Sequence, residues 1–246
     1  MVPAAGYDRI KAFSEMDLTE DLKKRRAGRL RPAGVMVTRV RSPAAVHAAR
    51  ATVLFADLRG YTGMAERLSA VSLVPLLDEF CTTLAAASAA HGGKVFHMAG
   101  DGMMAGFGLN DANSGGARAA LAAGHAMLQA FAAVAERWRS ELSIDAGIGV
   151  GLHLGEVAVG VLGPPGHRAT TLVGDTVNVA ARLCSRARAG EVLFSCTVAA
   201  ELASHAAAPG TVVGAVPFLQ LPQFELRGRR GPIDIWCIPA SARLSL

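Results

Sequence analysis

The sequence lacks several features that mark particular classes of protein. Its four cysteines are scattered, with no Cys-x-x-Cys pair and no Cys and His residues at zinc-ligand spacing, so the pattern argues against a zinc module and predicts reduced, buried thiols. Apolar runs stop short of the about 18 uncharged residues that a membrane helix needs, and the N-terminus lacks the layout of a secretory signal. We therefore expect a cytoplasmic chain with no membrane segment of its own.

Aromatic residues are also scarce, at 5 % of the chain, and no internal repeat is evident. Lys and Arg outnumber Asp and Glu by 25 to 20, which would suit a nucleic-acid partner, but no stretch interleaves basic with aromatic residues. A polyanionic small substrate explains the positive charge equally well. We expect no nucleic-acid partner, and salt-dependent DNA binding would be the observation that favours a nucleic-acid-binding module instead.

The sequence does have enough apolar content to build one large domain. Of its 246 residues, 51 % are hydrophobic, which suits one buried core with a modest extension. Residues 1–45 are interpreted as an N-terminal extension whose stretch 14–30 is either a short dimerising or signal-relaying helix or a solvated linker. Residues 46–240 are predicted to form the main domain and 241–246 a tail.

A first carboxylate motif, ATVLFADLRGYT, begins at Ala51. The apolar run from Ala51 to Ala56 ends in Asp57 and is followed by the turn-like Leu58-Arg59-Gly60, which is typical of a buried central strand with a carboxylate at its C-terminal end. Taken alone, Asp57 would be interpreted as an ordinary turn residue.

A second carboxylate motif, GGKVFHMAGDGMMAGFG, predicts a hairpin. One strand runs over 94–98, a turn over 99–102 and the return strand over 103–107, with Asp101 at the tip. If this hairpin pairs beside the first strand, Asp57 and Asp101 converge on one edge of a sheet. Two carboxylates in that arrangement form a palm-like two-metal site for phosphoryl or nucleotidyl transfer.

Between and after these motifs the pattern predicts helices at 61–68, 71–91 and 115–142. A pair of strands is predicted at 144–154 and 156–162, joined at Gly155, with glycines where a helix or a partner chain comes close. His153 on the first of them is interpreted as a hydrogen-bonded sheet histidine rather than a catalytic base.

The segment GDTVNVAARL begins a further predicted helix over 176–186. Asn178 and Arg182 are four positions apart and therefore share one face; taken alone they would be a surface polar pair. The last third is predicted to alternate short strands with one helix near 197–206. Its basic turn, which contains Arg227 and Arg229, suits either a guarded sheet edge or the binding of a triphosphate.

Together, these motifs resemble the class III nucleotidyl cyclase catalytic domain, and the resemblance runs from Ala51 to Ile238. It implies an α+β fold, a ferredoxin-like or palm-like sheet with flanking helices, assembled as a head-to-tail homodimer. It also implies a nucleoside triphosphate substrate and two divalent cations, Mg²⁺ or Mn²⁺. The metal ligands would be Asp57, Asp101 and the carbonyl of Leu58.

The same resemblance assigns the remaining site residues. Asn178 and Arg182 match the positions that stabilise the transition state, Arg227 matches the late phosphate-binding turn with Arg229 as the alternate, and Arg168 stands next to the position of the phosphate-binding loop arginine. In the family each site takes its metal carboxylates from one chain and Asn and Arg from the other, so a homodimer with two sites is expected and a monomer should be inactive.

His97 and Thr171 occupy the positions that read the nucleobase. Thr171 matches many bacterial adenylyl cyclases, but His97 stands where these enzymes carry Lys, and an imidazole offers one donor and one acceptor where Lys offers only donors. ATP is the expected substrate. A guanylate cyclase, a pyrimidine cyclase of the kind linked to phage defence, and an inactive cyclase-like regulatory module are the alternatives.

Overall fold

A computed structural model describes residues 46–110, 115–206, 218–225 and 231–239. The predictions for the extension 1–45, the basic turn and the tail lie outside these residues. Within them the secondary structure comprises five helices and eight strands. The helices are α1 (Tyr61–Arg67), α2 (Ala70–Ala90), α3 (Ala117–Leu142), α4 (Asp175–Arg186) and α5 (Cys196–Ala206). The strands are β1 (His47–Arg59), β2 (Lys94–Ala99), β3 (Gly102–Phe107), β4 (Gly147–Leu162), β5 (Ala169–Val173), β6 (Glu191–Ser195), β7 (Leu219–Phe224) and β8 (Ile233–Pro239).

The strands form one mixed sheet with the order β2-β3-β1-β4-β6-β8-β7, and β5 pairs with the outer part of β4. Only the β4–β6 pairing is parallel among the described strands. The prediction of an antiparallel-dominated α+β sheet with flanking helices is therefore confirmed. β1 lies near its centre, with β3 on one side and β4 on the other.

β1 separates two layers of packing because its side chains alternate between the faces of the sheet. Leu54, Ala56 and Leu58 belong to the main core with α2 and α3. Ala51 and Val53 belong to a smaller cluster on the opposite face, which includes residues of β5 and α4. By the same alternation Asp57 lies on the face of α4.

The predicted strand pair joined at Gly155 is wrong: the structure has one continuous 16-residue strand, β4. Gly155 does not turn the chain because it pairs with Ala51 in the ladder between β1 and β4, which continues from His47 to Arg59. The glycine serves close packing instead, since a Cβ there would meet the hydroxyl of Thr176 on α4. The prediction that glycines admit a helix is thus confirmed at this position.

The other predicted elements agree with the structure to within a few residues. The hairpin of β2 and β3 places Asp101 in its tight turn, as predicted. Strand β5 was not predicted. His153 is buried and its Nδ1 lies 2.7 Å from the hydroxyl oxygen of Ser195, which confirms a satisfied sheet histidine.

The four cysteines are free thiols, as predicted, but only Cys184 and Cys237 are buried. Two described helices, α2 and α3, are long and apolar enough to cross a membrane by length and composition alone. Helix α3 buries most of its apolar residues in the core, whereas α2 buries one face, which includes Phe80 and Leu84, and leaves more of its length exposed. The absence of a membrane segment therefore stays a prediction.

Candidate active site

Asp57 lies two residues before the end of β1, and on each neighbouring strand a glycine lies directly opposite it. In the ladders it pairs with Gly102 of β3 and Gly149 of β4. The backbone N–H of Leu58 donates to the carbonyl of Asp101 at 2.8 Å, so the tip of the β2–β3 hairpin is bound to the end of β1. This bond brings the two predicted metal carboxylates to the same edge of the sheet.

The charge environment of Asp57 reflects that convergence. Burial raises the pKa of Asp57, the nearby Arg59 charge opposes this, and the negative charge of Asp101 raises the pKa further. Two carboxylates that repel each other form a site that a cation stabilises. The carboxylate is still 39 % exposed, so an ion can reach it.

The local shape and donor set fit a hard divalent cation. A Cβ at Gly102 would lie 3.6 Å from Asp57 Oδ1, so the glycine leaves the space beside this oxygen open. The described residues contain no cluster of three or more His, Cys, Asp or Glu side chains. Two carboxylates are what a Mg²⁺ site in a nucleotide-binding enzyme usually takes from the protein, because the substrate phosphates and waters complete the octahedron. Coordination by the Leu58 carbonyl stays a prediction.

Helix α4 carries Asn178 and Arg182 on its exposed side. Its other side packs on β4, where a Cβ at Gly151 would meet the backbone of Ala180 and Cys184. Three glycines of β4, which we call the glycine track, therefore lie beneath the helix: Gly149, Gly151 and Gly155. Because this side of α4 is in close contact with the strand, Asn178 and Arg182 on the other side point away from the sheet.

The two predicted base-reading residues lie on strands that pack against each other, β2 and β5. A bulge at Phe96 shifts the register so that His97 pairs with Met104, whose side chain belongs to the cluster on the α4 face. The exposed His97 therefore lies on the same face as Asp57. Thr171 is half-buried, and by strand alternation it points away from its buried neighbour Leu172.

Of the three predicted phosphate-binding arginines, Arg168 lies within the described residues. Arg168 is exposed in the loop before β5, where its Nε donates to the carbonyl of Gly163 at 3.4 Å. Arg227 and Arg229 lie outside the described residues. None of these roles is tested by the structure.

Comparison with known proteins places the fold in a family. The family model described as "Adenylate and Guanylate cyclase catalytic domain" matches residues 44–238. The chain belongs to this family. Its members are phosphorus–oxygen lyases that generally depend on divalent cations.

The chain is also similar to individual cyclases of this family. An adenylate cyclase of Anabaena cylindrica is 32 % identical over an alignment of 142 residues, which covers 54 % of this chain but only 26 % of that protein. The adenylyl cyclase CyaB of P. aeruginosa has a solved structure that superimposes with a TM-score of 0.71 at 26 % identity, covering 79 % of this chain and 95 % of that one. The guanylyl cyclase Cya2 superimposes at 0.65 with 27 % identity, covering 80 % and 93 %.

Two residues of this cyclase domain were not identified from sequence. Arg59 donates from Nη1 to Asp57 Oδ2, and Gly149 leaves space for the Arg59 side chain. The spacing could have indicated the arginine, since residues two apart on a strand share one face. The glycine pattern of this segment did predict the approach of a helix, which the bond from the Cys184 thiol to the carbonyl of Gly149 reflects. It carried no signal that Gly149 would face the guanidinium of Arg59.

Two cavities in the described part of this cyclase domain lie away from the carboxylates. One, of about 330 Å³, is lined by residues that include His47, Lys94 and Phe96. The other, of about 280 Å³, lies between α1 and the end of α3. Asp57 and Asp101 line neither of these two cavities.

Proposed function

We propose that this chain converts a nucleoside triphosphate, preferentially ATP, to its 3′,5′-cyclic nucleotide and pyrophosphate at sites shared by two copies of the chain. The observation that carries the proposal is the convergence of Asp57 and Asp101 at the end of β1, fixed by the hydrogen bond between Leu58 and Asp101. Membership of the cyclase family supports the reaction class.

Asp57 and Asp101 would hold two Mg²⁺ or Mn²⁺ ions, which lower the pKa of the ribose 3′-hydroxyl and neutralise phosphate charge. The bond between O3′ and the α-phosphorus forms as the bond to the pyrophosphate oxygen breaks, and the proton passes to water or substrate. Arg182 and Asn178 stabilise the charge and the geometry that develop at the α-phosphorus. Arg168 and Arg227, with Arg229 as the alternate to Arg227, bind the remaining phosphates.

The positions of these groups support the proposal of a homodimer. The side of α4 that carries Asn178 and Arg182 is exposed, while the buried side is committed to β4. A second copy that meets this surface would supply the carboxylates that complete the site. The shared site resembles the arrangement of the family and would use the exposed part of the Asp57 side chain.

Substrate choice rests on His97 and Thr171. A ring N–H of His97 donates to adenine N1 while the Thr171 hydroxyl accepts from the N6 amino group. The named adenylate cyclase from Anabaena cylindrica supports ATP. A matched hydrogen-bonding site rejects the wrong base by about 10⁴-fold or more, because a mismatch leaves buried polar groups unpaired.

The experiment is to incubate purified protein and Mn²⁺ or Mg²⁺ with ATP, GTP, CTP or UTP separately and to identify the products by mass. The proposal predicts cyclic AMP as the main product. Preferred turnover of GTP, CTP or UTP would overturn the choice of ATP but not the cyclase reaction. Absence of any metal-dependent product from a folded dimer would favour an inactive regulatory module.

Two variants test the shared site. Asp57→Ala and Arg182→Ala chains should each be inactive, but their mixture should recover activity, because one of the two sites in a mixed dimer carries neither substitution. An inactive mixture whose subunits demonstrably exchange would contradict sites shared between chains.

A variant at His97 tests the base assignment. His97→Lys should keep or raise ATP turnover, since it restores the donor that most adenylyl cyclases carry at this position, and should lower any turnover of GTP or UTP. Unchanged ratios between the four nucleotides would show that His97 does not read the base.

A further inference from the structure

Arg59 joins the candidate metal site to helix α4. Its Nη1 donates to Asp57 Oδ2, its Nε donates to the carbonyl of Ala187 at 3.0 Å, and its Nη2 donates to the carbonyl of Cys184 at 2.5 Å. The guanidinium thus bonds to three oxygens at once, one from a carboxylate and two from the C-terminal end of α4.

The surroundings are shaped to hold the guanidinium there. Its side chain is only 23 % exposed, and Gly149 lies opposite Asp57 in the ladder. A Cβ at Gly149 would lie 2.6 Å from Arg59 Nη2 and 2.8 Å from the carbonyl oxygen of Ala187. Glycine at this position is therefore what leaves room for the contact between β1 and the helix.

Arg59 stabilises the C-terminal end of α4 as well as the carboxylate of Asp57. The last carbonyls of a helix have no partner within the helix and carry its partial negative charge, so a cation that donates to them is stabilising. A planar guanidinium can serve carbonyls and a carboxylate together because its five N–H donors have a fixed geometry. A lysine keeps the charge but cannot reproduce that geometry.

The two oxygens of Asp57 are used differently. Oδ2 accepts from Arg59, whereas Oδ1 lies beside Gly102, on the side of the hairpin that carries Asp101. Fixing Oδ2 restricts rotation of the carboxylate and leaves Oδ1 beside Gly102.

We propose that Arg59 is a positioning residue of the cyclase, which orients Asp57 and anchors the end of α4 in the register that presents Asn178 and Arg182. The inference rests on the proposed function. In a shared-site dimer, Asp57 of a chain serves one site and α4 of the same chain serves the other. Arg59 therefore acts on both sites of the dimer, through a different contact in each.

Mixed dimers distinguish the effect of Arg59 on Asp57 from its effect on α4. In the mixture of Asp57→Ala and Arg182→Ala chains, the one intact site takes Asp57 from the Arg182→Ala chain and Arg182 from the Asp57→Ala chain. Adding Arg59→Gln to the Arg182→Ala chain should lower kcat by about 100-fold, because a misplaced ligand costs that much. Adding it to the Asp57→Ala chain should lower kcat by about 10-fold, through α4 alone. In both, KM for nucleotide should change much less than kcat.

A measurement without substrate or metal tests the anchor independently of activity. Hydrogen–deuterium exchange of the peptide that contains 183–188 should be faster in Arg59→Gln than in the unmodified protein, because the end of α4 loses two hydrogen bonds. Arg59→Lys should restore part of the turnover but leave this exchange fast, since the charge returns without the three-way geometry. Arg67→Gln is the matched control: Arg67 donates to the carbonyl of Ser143 at 3.4 Å, and neither readout should change.

Unchanged exchange in both Arg59 variants would overturn the anchoring of α4. Unchanged turnover when Arg59→Gln is added to the Arg182→Ala chain would overturn the orientation of Asp57. Should Arg59→Gln fail to fold, Arg59→Lys carries both measurements. If the unmodified protein cyclises no nucleotide, the proposed function fails, while the exchange result still decides whether Arg59 anchors the helix.

Discussion

The two faces of strand β4 are built from different residues for different purposes. On one face Ile148, Val150, Leu152 and Leu154 pack into the main core with α2 and α3. On the other, a track of glycines lies beneath α4 and beside Asp57 and Arg59. The same strand therefore buries large apolar side chains against α3 on one side, while on the other its three glycines let α4 and the Arg59 side chain come close.

The residues on one face of β4 therefore contribute mainly to stability, and those on the other mainly to the proposed chemistry. The large side chains stabilise the fold by removing apolar surface from water, at roughly 25 cal/mol per Å². The glycine track brings the helix close to the strand, and this places its exposed polar pair and its C-terminal carbonyls at fixed positions. Substitutions on the α3 face should thus reduce stability, whereas those near Asp57 should reduce activity.

The largest expected effect is on activity. Asp57→Ala should lower turnover by about 1,000-fold or more, because it removes a negative ligand from the cations that stabilise the transition state. The far-ultraviolet circular dichroism and the unfolding midpoint should change little, since Asp57 makes no core contact. Equal activity of Asp57→Ala or Asp101→Ala at saturating Mn²⁺ would contradict the metal assignment.

The largest expected effect on stability lies on the opposite face. Phe131→Ala in α3 should lower the free energy of unfolding by about 3–5 kcal/mol. Phe131 is fully buried and packs edge to face against Phe80 and Trp138, at ring centroid distances of 5.8 and 5.4 Å. Urea unfolding measures the loss, and turnover per folded molecule should be retained. A loss of turnover without a loss of stability would contradict the assignment of stability to the α3 face and activity to the α4 face.

Gly151→Ala tests whether the track itself is required. Its Cβ would meet backbone atoms of Ala180 and Cys184, which cannot rotate away as a side chain could. We expect a loss of about 1–3 kcal/mol in the free energy of unfolding, together with lower turnover as α4 shifts. Gly63→Ala is the control, since a Cβ in α1 meets nothing within 4 Å and should be neutral or stabilising. Normal turnover in Gly151→Ala would show that α4 tolerates displacement.

The smallest effect concerns a contact between α2 and α3. Glu79 accepts from Trp138 Nε1 at 2.9 Å and pairs with Arg137, and mainly the hydrogen bond from Trp138 lowers the pKa of Glu79 below its usual 4.5. Since a lowered carboxyl pKa stabilises the folded state only where the group is ionised, this contribution is full above pH 4.5 and is lost as pH falls through the lower folded pKa.

Glu79→Ala should therefore destabilise the protein by about 1 kcal/mol at pH 7, a value kept small by partial solvent exposure. The difference from the unmodified protein should shrink in acid. Unfolding curves at several pH values measure it, and turnover should be unaffected. A difference that does not depend on pH would show that ionisation of Glu79 contributes nothing.

Much of the fold and the candidate metal pair was accessible from sequence because their signals are local. The apolar run before Asp57 and the Gly-rich turn at Asp101 predict a strand and a hairpin without knowledge of the rest of the chain. The prediction at Gly155 was wrong because a glycine in a strand signals either a turn or a close approach, and the choice depends on the partner across the sheet. Here that partner is Ala51, which continues the ladder.

The sequence by itself determined the strand before Asp57, the hairpin at Asp101, the positions of the helices and the types of residue that carry the proposed chemistry, because these follow from the periods of strands and helices and from side-chain chemistry. Only the tertiary structure decided that Arg59 bonds to Asp57 and α4 together, that the bulge at Phe96 turns His97 to the face of Asp57, and that Gly149 makes room for the guanidinium. Each depends on atoms from segments far apart in the chain, whose meeting is set by strand register and by the packing of a helix on the sheet.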